Sequence, residues 1–379
     1  MKSTILTFLI AIFVILNIAG CSNSSDPAKP DDDDQSTNQW VIESVVLSAQ
    51  YPSLAVDGEG IPHVSFLDDT DGYVKYAVRS GNSWTIFPVG KVSNVNGTVA
   101  NGGISSLALD ATGNPHITYY DYGNAQFKYA TKSGNGWNLL TIPLPNDPLM
   151  SYASPFIPWE ESNIVIDQQN GTVHVSLQML GGLSVYVLGY WRAGMPEAVI
   201  VDNNGGNTGY NNAIALDSNG APCISYEARG TGELRYTHWN GLSFDTETVA
   251  SMPNIYWMER LTSIGVDNAN VPHIAFYGQG GYKYAHKNGA SWIIKDISFQ
   301  SGYPAVSLDL DGSGAPHIGL VTIDSGNSYR LKYARLNGDT WVFENISDNI
   351  DNASIKRDQS GKIHLLYETD SNELKYAHN

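Results

Sequence analysis

The stretch of sequence that decides the fold is residues 105–140, SSLALDATGNPHITYYDYGNAQFKYATKSGNGWNLL. It opens with an apolar strand and a turn at Asp110, and a second strand then begins near His116. A third strand carries Tyr129, and a fourth begins at Trp137 after a Gly-rich turn. Short strands separated by turn residues are typical of an antiparallel sheet. The rest of the chain repeats this unit, and a repeat of this length is a stronger fold signal than any single motif.

The markers of this unit recur along the chain. The Asp turn occurs at Asp57, Asp110, Asp167, Asp217, Asp267, Asp309 and Asp358. The second-strand histidine occurs as His63, His116, His174, His273, His317 and His364, and Cys223 takes its place in repeat four. The third-strand tyrosine occurs as Tyr76, Tyr129, Tyr236, Tyr284, Tyr333 and Tyr376. Seven copies of four short strands predict an all-β fold, a seven-bladed β-propeller of four-stranded antiparallel blades.

The fourth strand predicts how the ring closes. Its leading aromatic residue is found in five repeats, as Trp84, Trp137, Phe244, Trp292 and Trp341, whereas repeat three is irregular. Repeat seven ends at Asn379, directly after its third strand, and so lacks a fourth. The N-terminal segment Gln39-Trp40-Val41-Ile42 matches Ser83-Trp84-Thr85-Ile86 in pattern. We therefore expect the N-terminal strand to complete blade seven and remove a free sheet edge.

The turn before the fourth strand suggests a family. Ser80-Gly81-Asn82-Ser83-Trp84 and Asn337-Gly338-Asp339-Thr340-Trp341 each resemble a degenerate Asp-box. Over residues 39–379 the repeats resemble those of bacterial sialidase-like, BNR-type propeller proteins. This resemblance implies a scaffold and no particular activity. Sialidases have six blades and three arginines that grip the substrate carboxylate, whereas this sequence has seven repeats and no recognisable arginine triad.

The N-terminal residues are expected to lie outside the propeller. Residues 1–20 contain a short apolar run typical of an export signal. The run ends in Ile18-Ala19-Gly20-Cys21, which resembles a bacterial lipobox and implies cleavage before Cys21 and lipid attachment to its sulfur. The alternative is an ordinary signal peptide with an incidental cysteine. Residues 21–38, which include four consecutive aspartates, predict a disordered acidic tether to a propeller at residues 39–379.

Charge and cysteine content limit the possible partners. The net charge of −17 argues against nucleic acid or an anionic membrane surface, because both need a basic patch. Membrane attachment is therefore expected through the lipid anchor only, in the bacterial cell envelope, and at the outer membrane if the cell is Gram-negative. With Cys21 lipidated, Cys223 is the only other cysteine, so no internal disulfide can form. We expect a monomer without a cofactor.

The repeated histidines suggest a metal at first sight, but they belong to different blades. Residues spread round a ring lie too far apart to share a zinc ion, whose bonds to nitrogen are about 2.0–2.1 Å long. We therefore predict that they are structural and hydrogen-bond to the Asp turn or the third strand, with Cys223 as a buried, unreactive substitute. The turn at Asp309 resembles a calcium loop but lacks the distal Glu, so no metal site is expected.

Loops that differ between repeats are the place to look for a ligand site. Two connections between repeats, residues 90–104 and 143–161, are long. In propellers such connections share one face, here called the loop face, with the connections from second to third strand. Aromatic, acidic and basic side chains there suit the flat faces and hydroxyls of a sugar. The predicted ligand-binding residues are Tyr51, Trp159, Glu160, Tyr210, Trp257, Glu259, Arg260 and Tyr303. The alternative is that these aromatic residues pack the loops onto the ring.

Three functions remain open from the sequence. The first is a membrane-anchored propeller that binds a glycan on its loop face. The second is a polysaccharide lyase or glycoside hydrolase, for which Tyr210, Tyr256 and Arg260 are candidates without an evident histidine beside them. The third is a protein-interaction scaffold in an envelope complex. Paired carboxylates serve glycoside hydrolysis, but we interpret the loop-face acids as solvated: Asp68, Asp69, Asp121, Glu227, Asp324 and Glu368.

Overall fold

The computed structural model describes residues 39–93, 105–145, 161–180, 185–252, 261–297, 305–323, 326 and 328–379. These residues form seven separate four-stranded antiparallel sheets, the blades. A short 3-10 helix, Tyr122–Asn124, lies in the second of them, between its second and third strands. In this part of the chain no helix has the length and apolar character needed to span a membrane.

The blades follow one another along the chain. Blade one contains β2 (Gln50–Val56), β3 (Pro62–Asp68), β4 (Tyr73–Ser80) and β5 (Ser83–Lys91). Blade two contains β6 (Ser105–Leu109), β7 (Pro115–Asp121), β8 (Gln126–Ser133) and β9 (Gly136–Thr141). Blade three contains β10 (Ser162–Ile166), β11 (Val173–Leu180), β12 (Tyr186–Arg192) and β13 (Val199–Asp202). Blade four contains β14 (Tyr210–Leu216), β15 (Pro222–Ala228), β16 (Glu233–Trp239) and β17 (Phe244–Ser251).

The last three blades have the same order of strands. Blade five contains β18 (Thr262–Val266), β19 (Pro272–Gly278), β20 (Gly281–Asn288) and β21 (Ser291–Asp296). Blade six contains β22 (Val306–Leu310), β23 (Pro316–Ile323), β24 (Tyr329–Asn337) and β25 (Thr340–Asp348). Blade seven contains β26 (Ile350–Arg357), β27 (Ile363–Thr369), β28 (Leu374–His378) and the N-terminal β1 (Val41–Val46).

Ring closure by the N-terminal strand is confirmed. Strand β1 pairs antiparallel with β28, with Val41 opposite His378 and Ser44 opposite Lys375. The first strands of neighbouring blades contact one another in order, and β26 contacts β2 to complete the circle. The chain is therefore a seven-bladed β-propeller whose seventh blade is made from both ends of the described chain.

The alternation of side chains explains why these segments form layers. The second strand of a blade is buried along its whole length, as in β3 and β15, because sheets of neighbouring blades cover both of its faces. The fourth strand is largely exposed, as in β9 and β21, because it forms the outer edge of its blade. The core is thus a set of apolar layers between blades.

Serine hydroxyls join the first strands around the axis. These strands are not paired in a common sheet, so some of their backbone N–H groups need another partner. Four first-strand serines accept a hydrogen bond from a backbone N–H of the next blade. Ser53 accepts from Leu107 (3.1 Å) and Ser263 from Leu308 (3.0 Å). Ser106 and Ser307 do the same. The polar residues of the first strands therefore serve the ring itself.

An aromatic residue of each blade packs on the third-strand tyrosine of the preceding blade. The ring centroids in these seven pairs are 5.3 to 5.8 Å apart. The pairs are Trp84–Tyr376, Trp137–Tyr76, Trp191–Tyr129, Phe244–Tyr190, Trp292–Tyr236, Trp341–Tyr284 and Trp40–Tyr333. In blade three the aromatic residue, Trp191, comes from the third strand, so the irregularity noted in the sequence changes the source of the contact and keeps the contact itself.

The repeated histidines are structural, as predicted. Nδ1 of each lies within hydrogen-bond distance of the third-strand tyrosine hydroxyl, in the pairs His63–Tyr76, His116–Tyr129, His174–Tyr190, His273–Tyr284, His317–Tyr333 and His364–Tyr376. In blades one, five and seven Nε2 also lies 3.2–3.3 Å from the carboxylate of the Asp turn. That carboxylate also accepts hydrogen bonds from the turn's backbone, as Asp57 does from Glu59 and Ile61.

In blade four, different residues contact the third-strand tyrosine and the Asp turn. Cys223 is buried and receives a hydrogen bond from the Tyr236 hydroxyl (3.3 Å), while His238 of the third strand lies 3.3 Å from Asp217. Burial raises the pKa of the Cys223 thiol to about 12, which makes the thiolate rare at neutral pH. The prediction of a buried, unreactive substitute for histidine agrees with this geometry.

One sequence assignment was wrong. In blade six the turn carboxylate is Asp311, which accepts hydrogen bonds from the backbone of Ser313 and Ala315, and not Asp309. Asp309 lies within β22 and accepts a hydrogen bond from the backbone N–H of Arg357 in blade seven. Each of the two aspartates is followed by a glycine three residues later in the sequence. Only the pairing of Leu310 with Pro316 shows which aspartate begins the turn.

Candidate functional site

Two of the predicted ligand-binding residues, Tyr51 and Tyr210, lie among the described residues. The predictions for Trp159, Glu160, Trp257, Glu259, Arg260 and Tyr303, and for lipidation at Cys21, lie outside them. Tyr51 belongs to blade one and Tyr210 to blade four, so nearly half the ring separates them. The structure does not bring these two tyrosines together.

Tyr51 has a structural setting. It lies in a bulge of β2 with a φ of 55°, a backbone conformation that is strained for a residue with a side chain. Its carbonyl accepts a hydrogen bond from the Ser105 hydroxyl of blade two (3.3 Å), and its ring packs against the apolar layer of the first three blades. The strained bulge thus helps to join blades one and two.

Tyr210 begins β14 at the loop face, where the chain crosses from blade three to blade four. The residue before it, Gly209, has a φ of 85°, and a Cβ there would lie 2.8 Å from the Cα of Leu188. Only glycine fits such a close approach without a shift of the backbone. The residue after it, Asn211, forms a bulge with a φ of 49°. These two special positions fix the direction in which Tyr210 enters the blade.

The contacts of Tyr210 define a polar and aromatic cluster, which we call the blade-four cluster: Tyr186, Tyr210, Asn211, Glu227 and Arg229. The Arg229 guanidinium lies 3.9 Å from the centre of the Tyr210 ring, a cation–π contact. Tyr186 of blade three packs edge-on against the same ring, with centroids 5.0 Å apart. Tyr210 is thus held between a flat cation and a second aromatic ring.

A buried carboxylate holds the cluster together. Glu227 is 1 % exposed, and its carboxylate accepts hydrogen bonds from Arg229 Nε and Asn211 Nδ2, each 3.0 Å long. Burial raises the pKa of Glu227 above its ordinary value, although Arg229 and Asn211 act in the opposite direction. Asn211 also bonds to blade five, because its carbonyl accepts from the Thr262 hydroxyl (2.8 Å). The cluster therefore spans blades three to five at the loop face.

The sequence predicted only one member of this cluster as a ligand residue. Tyr186 and Arg229 were missed because nothing in their local pattern marks them, and Glu227 was named only among the acids of the loop face. The available signal was the spacing of Glu227 and Arg229, which places an acid and a base two residues apart on one side of the strand end. Pairing of that segment with Tyr210 could be seen only in three dimensions.

The prediction of solvated loop acids was wrong for four of the five that the structure describes, and Asp324 lies outside the described residues. Asp68, Asp121, Glu227 and Glu368 are buried. Asp68 pairs with Lys75 (2.6 Å), and Asp121 accepts from the backbone N–H of Ser93 (2.9 Å). A buried acid is stable only with such partners, so these carboxylates hold the second-to-third-strand connections in place.

The axial channel is not a promising ligand site. It is a cavity of about 160 Å³ lined by first strands of the seven blades. Several of its polar groups, including Ser53, Ser106, Ser263 and Ser307, already bond to the neighbouring blade. Within the described part of the chain, no group of three or more His, Cys, Asp or Glu side chains is arranged to hold a metal ion.

Comparison with known proteins adds evidence on the fold. No protein-family model and no curated protein matches the chain. Among solved structures it is similar to the polysaccharide lyase PL25 ulvan lyase, with 12% identity, a TM-score of 0.60, and 89% of this chain and 95% of that chain covered. It is also similar to the SapL1 lectin in complex with α-methyl fucoside, with 14% identity, a TM-score of 0.50, and coverage of 80% and 98%.

A third similar structure is the Hadza microbial sialidase Hz136, with 10% identity, a TM-score of 0.49, and coverage of 88% and 66%. These matches show the fold alone. Lectins, polysaccharide lyases and sialidases are among the solved structures that the chain resembles at low identity. Which chemistry this propeller supports depends on its own residues.

Proposed function

We propose that this chain is a carbohydrate-binding β-propeller that takes a glycan on its loop face, beside blade four. The blade-four cluster carries the proposal. It places a partly exposed tyrosine ring, a guanidinium and hydrogen-bonding groups within a few ångströms of one another on a rigid strand end. Sugar sites combine flat apolar faces with a small number of fixed polar groups in this way.

The neighbouring sequence supports this location. The connection from blade three to blade four delivers Tyr210, and the connection from blade four to blade five carries Trp257, Glu259 and Arg260. Both connections belong to the loop face. In the proposal, Trp159, Glu160 and the second set of residues contribute to the same glycan site, while Tyr51 and Tyr303 belong to other repeats of the sequence.

The second candidate function is a polysaccharide lyase, and Tyr210 beside Arg229 is the observation that raises it. A lyase needs a base that removes a proton from the sugar, and such a base works best when its pKa lies near the operating pH. Burial, together with the charge of Glu227, raises the pKa of Tyr210 to about 12 despite the nearby Arg229. The tyrosine is therefore a poor base in this setting, which favours binding over lyase chemistry.

The test is a glycan array probed with the full chain and with Trp257→Ala and Arg260→Ala variants. We expect each variant to weaken glycan binding by about 1–3 kcal/mol, because each removes an interface anchor, and to leave the melting temperature unchanged. Leu242→Ser, at a turn residue that is 87% exposed on the opposite face, is the matched control and should bind as the wild type does.

Two results would contradict this function. Wild-type protein that binds no carbohydrate, but co-purifies with another envelope protein, would favour the scaffold. Release of unsaturated sugar ends during incubation with polysaccharides would favour the lyase.

We further propose that the propeller is displayed in the bacterial cell envelope through a lipid on Cys21. The lipobox-like end of the apolar run and the acidic tether of residues 21–38 support this location. Several acyl chains on one cysteine anchor a protein firmly, because each buried CH₂ contributes about 0.8 kcal/mol. We expect Cys21→Ser to leave the membrane fraction or to accumulate as an uncleaved precursor. Unchanged fractionation, with a mature N-terminus elsewhere, would rule out the lipid anchor.

A further inference from the structure

A groove opens between blades three and four on the face opposite the loop face. Its floor and rim include the Asp turn of blade four and the turn that follows Trp239. The volume of this interblade groove is about 780 Å³, which lies within the range of about 300–1,000 Å³ typical of small-molecule sites. It shares no residue with the blade-four cluster.

Local sequence explains why the groove exists. The fourth strand of blade three, β13, has only four residues, and the turn before it is long. Between blades three and four the packing aromatic residue is Phe244, whereas the fourth strands of blades one, two, five and six have a tryptophan at this position. The short outer strand of blade three and the smaller ring of Phe244 leave space between the two blades.

The walls of the interblade groove are mainly apolar. Phe244 packs edge-on against both Trp239 and Tyr190, with ring centroids 5.1 and 5.3 Å away. Met195 and Ile200, which are only partly buried, also line the groove. These residues offer flat and aliphatic surfaces to a ligand of matching shape.

A histidine at one end of the groove differs from its counterparts in the other blades. His174 is 4% exposed and lines the groove, and its Nδ1 bonds to the Tyr190 hydroxyl (2.7 Å). Its Nε2 has no hydrogen-bond partner among the described residues. The turn of blade three is one residue longer, and the carboxylate of Asp167 accepts instead from Asn170 Nδ2 (2.5 Å). Burial and the nearby Arg192 lower the pKa of His174 to about 4, so the ring is neutral at pH 7.

A cation lies beside this histidine. Arg192 is paired with His174 across β11 and β12, is exposed, and lines the same groove. No described carboxylate forms an ion pair with it. The one acid that also lines the groove, Asp217, is already held by the backbone of Asn219 and Ala221 and faces His238. A neutral imidazole nitrogen and a free guanidinium therefore stand at one end of an apolar groove.

We propose that the interblade groove binds an aromatic carboxylate, a small organic anion with a flat apolar body. The carboxylate pairs with the Arg192 guanidinium, for which two parallel N–H donors are available, and accepts from Nε2–H of His174. The ring lies against Trp239 and Phe244. This site is independent of the glycan site, since it lies on the opposite face and uses other residues.

The experiment is isothermal titration of the full chain with 2-naphthoate and with its neutral counterpart, 2-naphthamide. We expect the wild type to bind 2-naphthoate about tenfold more tightly or better, as one charge-assisted pair implies. Arg192→Gln should abolish this preference, and Trp239→Ala should weaken both probes. Arg335→Gln is the matched control, because Arg335 pairs with His317 in blade six as Arg192 pairs with His174, and it should bind both probes normally.

Several outcomes overturn the proposal. They are equal binding of the two probes, no binding of 2-naphthoate at millimolar concentration, and unchanged preference in Arg192→Gln. Displacement of 2-naphthoate by a methyl glucuronide of equal affinity would also overturn the proposal, because the groove would then not select an aromatic body. Loss of 2-naphthoate binding in the loop-face variant Trp257→Ala would place the site elsewhere. A negative result in the glycan-array experiment alone does not contradict the proposal for the interblade groove, because the two experiments test different sites.

Discussion

Deletion of residues 39–46 should destabilise the propeller by more than about 4 kcal/mol or cause it to aggregate. The deletion removes β1 and leaves β28 with an unpaired edge, which is a template for association with other chains. It also removes Trp40, which packs on Tyr333 and donates a hydrogen bond to Glu344 (3.0 Å) in blade six. Loss of a fully buried tryptophan costs about 3–5 kcal/mol, and Trp40, which is partly buried, contributes part of that amount. Chemical denaturation and size-exclusion chromatography would measure both effects.

The N-terminal strand also joins blade seven to blade one. The Glu43 carboxylate accepts hydrogen bonds from Arg79 (2.7 Å) and Trp84 (3.1 Å), both in blade one. A double variant, Val41→Thr with Ile42→Thr, is the control, because these side chains are 47% and 45% exposed. It should change stability little. A truncated protein that stays monomeric with an unchanged melting temperature would contradict closure by β1.

Closure could be predicted from the sequence because its markers are local and repeated. The segment around Trp40 carries the same pattern as the fourth strand around Trp84, and the last repeat lacks that strand. Each blade faces the same packing problem, since its tyrosine must be covered by an aromatic residue of the next blade. Similar residues therefore recur at equivalent positions of each blade. The number of blades and the structural role of the histidines could be derived from this repetition.

The candidate glycan site could be predicted only in part, because its features are not repeated from blade to blade. The blade-four cluster depends on one strand end, one interblade connection and one bulge, which occur together in a single blade. Tyr210 stood out as an aromatic residue in a variable connection, but the position of Arg229 over its ring follows from the register of β14 and β15. The interblade groove likewise depends on a short β13, and the lack of a described partner for the His174 nitrogen depends on one extra residue in the turn after Asp167. Neither feature resembles a motif.

The second large effect is expected from His364→Ala, which should lower the free energy of unfolding by about 3 kcal/mol. His364 is fully buried, and its two nitrogens face the Tyr376 hydroxyl and the Asp358 carboxylate, the latter at 3.2 Å. Alanine leaves a cavity and a Tyr376 hydroxyl without its partner, and an unsatisfied buried group costs about 1–3 kcal/mol. The Asp358 carboxylate keeps its hydrogen bonds from Ser360 and Lys362. His238→Ala is the control and should cost about 1 kcal/mol or less, because that side chain is 34% exposed and has one contact.

The pH dependence of this difference tests whether His364 acts as a buried neutral ring. Burial lowers the pKa of His364 below its ordinary value, with Asp358 acting in the opposite direction. The unfolded chain therefore takes up the proton first as the pH falls through about 6.5, and the folded state loses stability relative to it. The alanine variant lacks this group, so its deficit relative to the wild type should narrow between about pH 7 and about pH 5 in urea titrations. A deficit that widens over this range would mean that the folded protein holds His364 in its charged form, as an ion pair with Asp358.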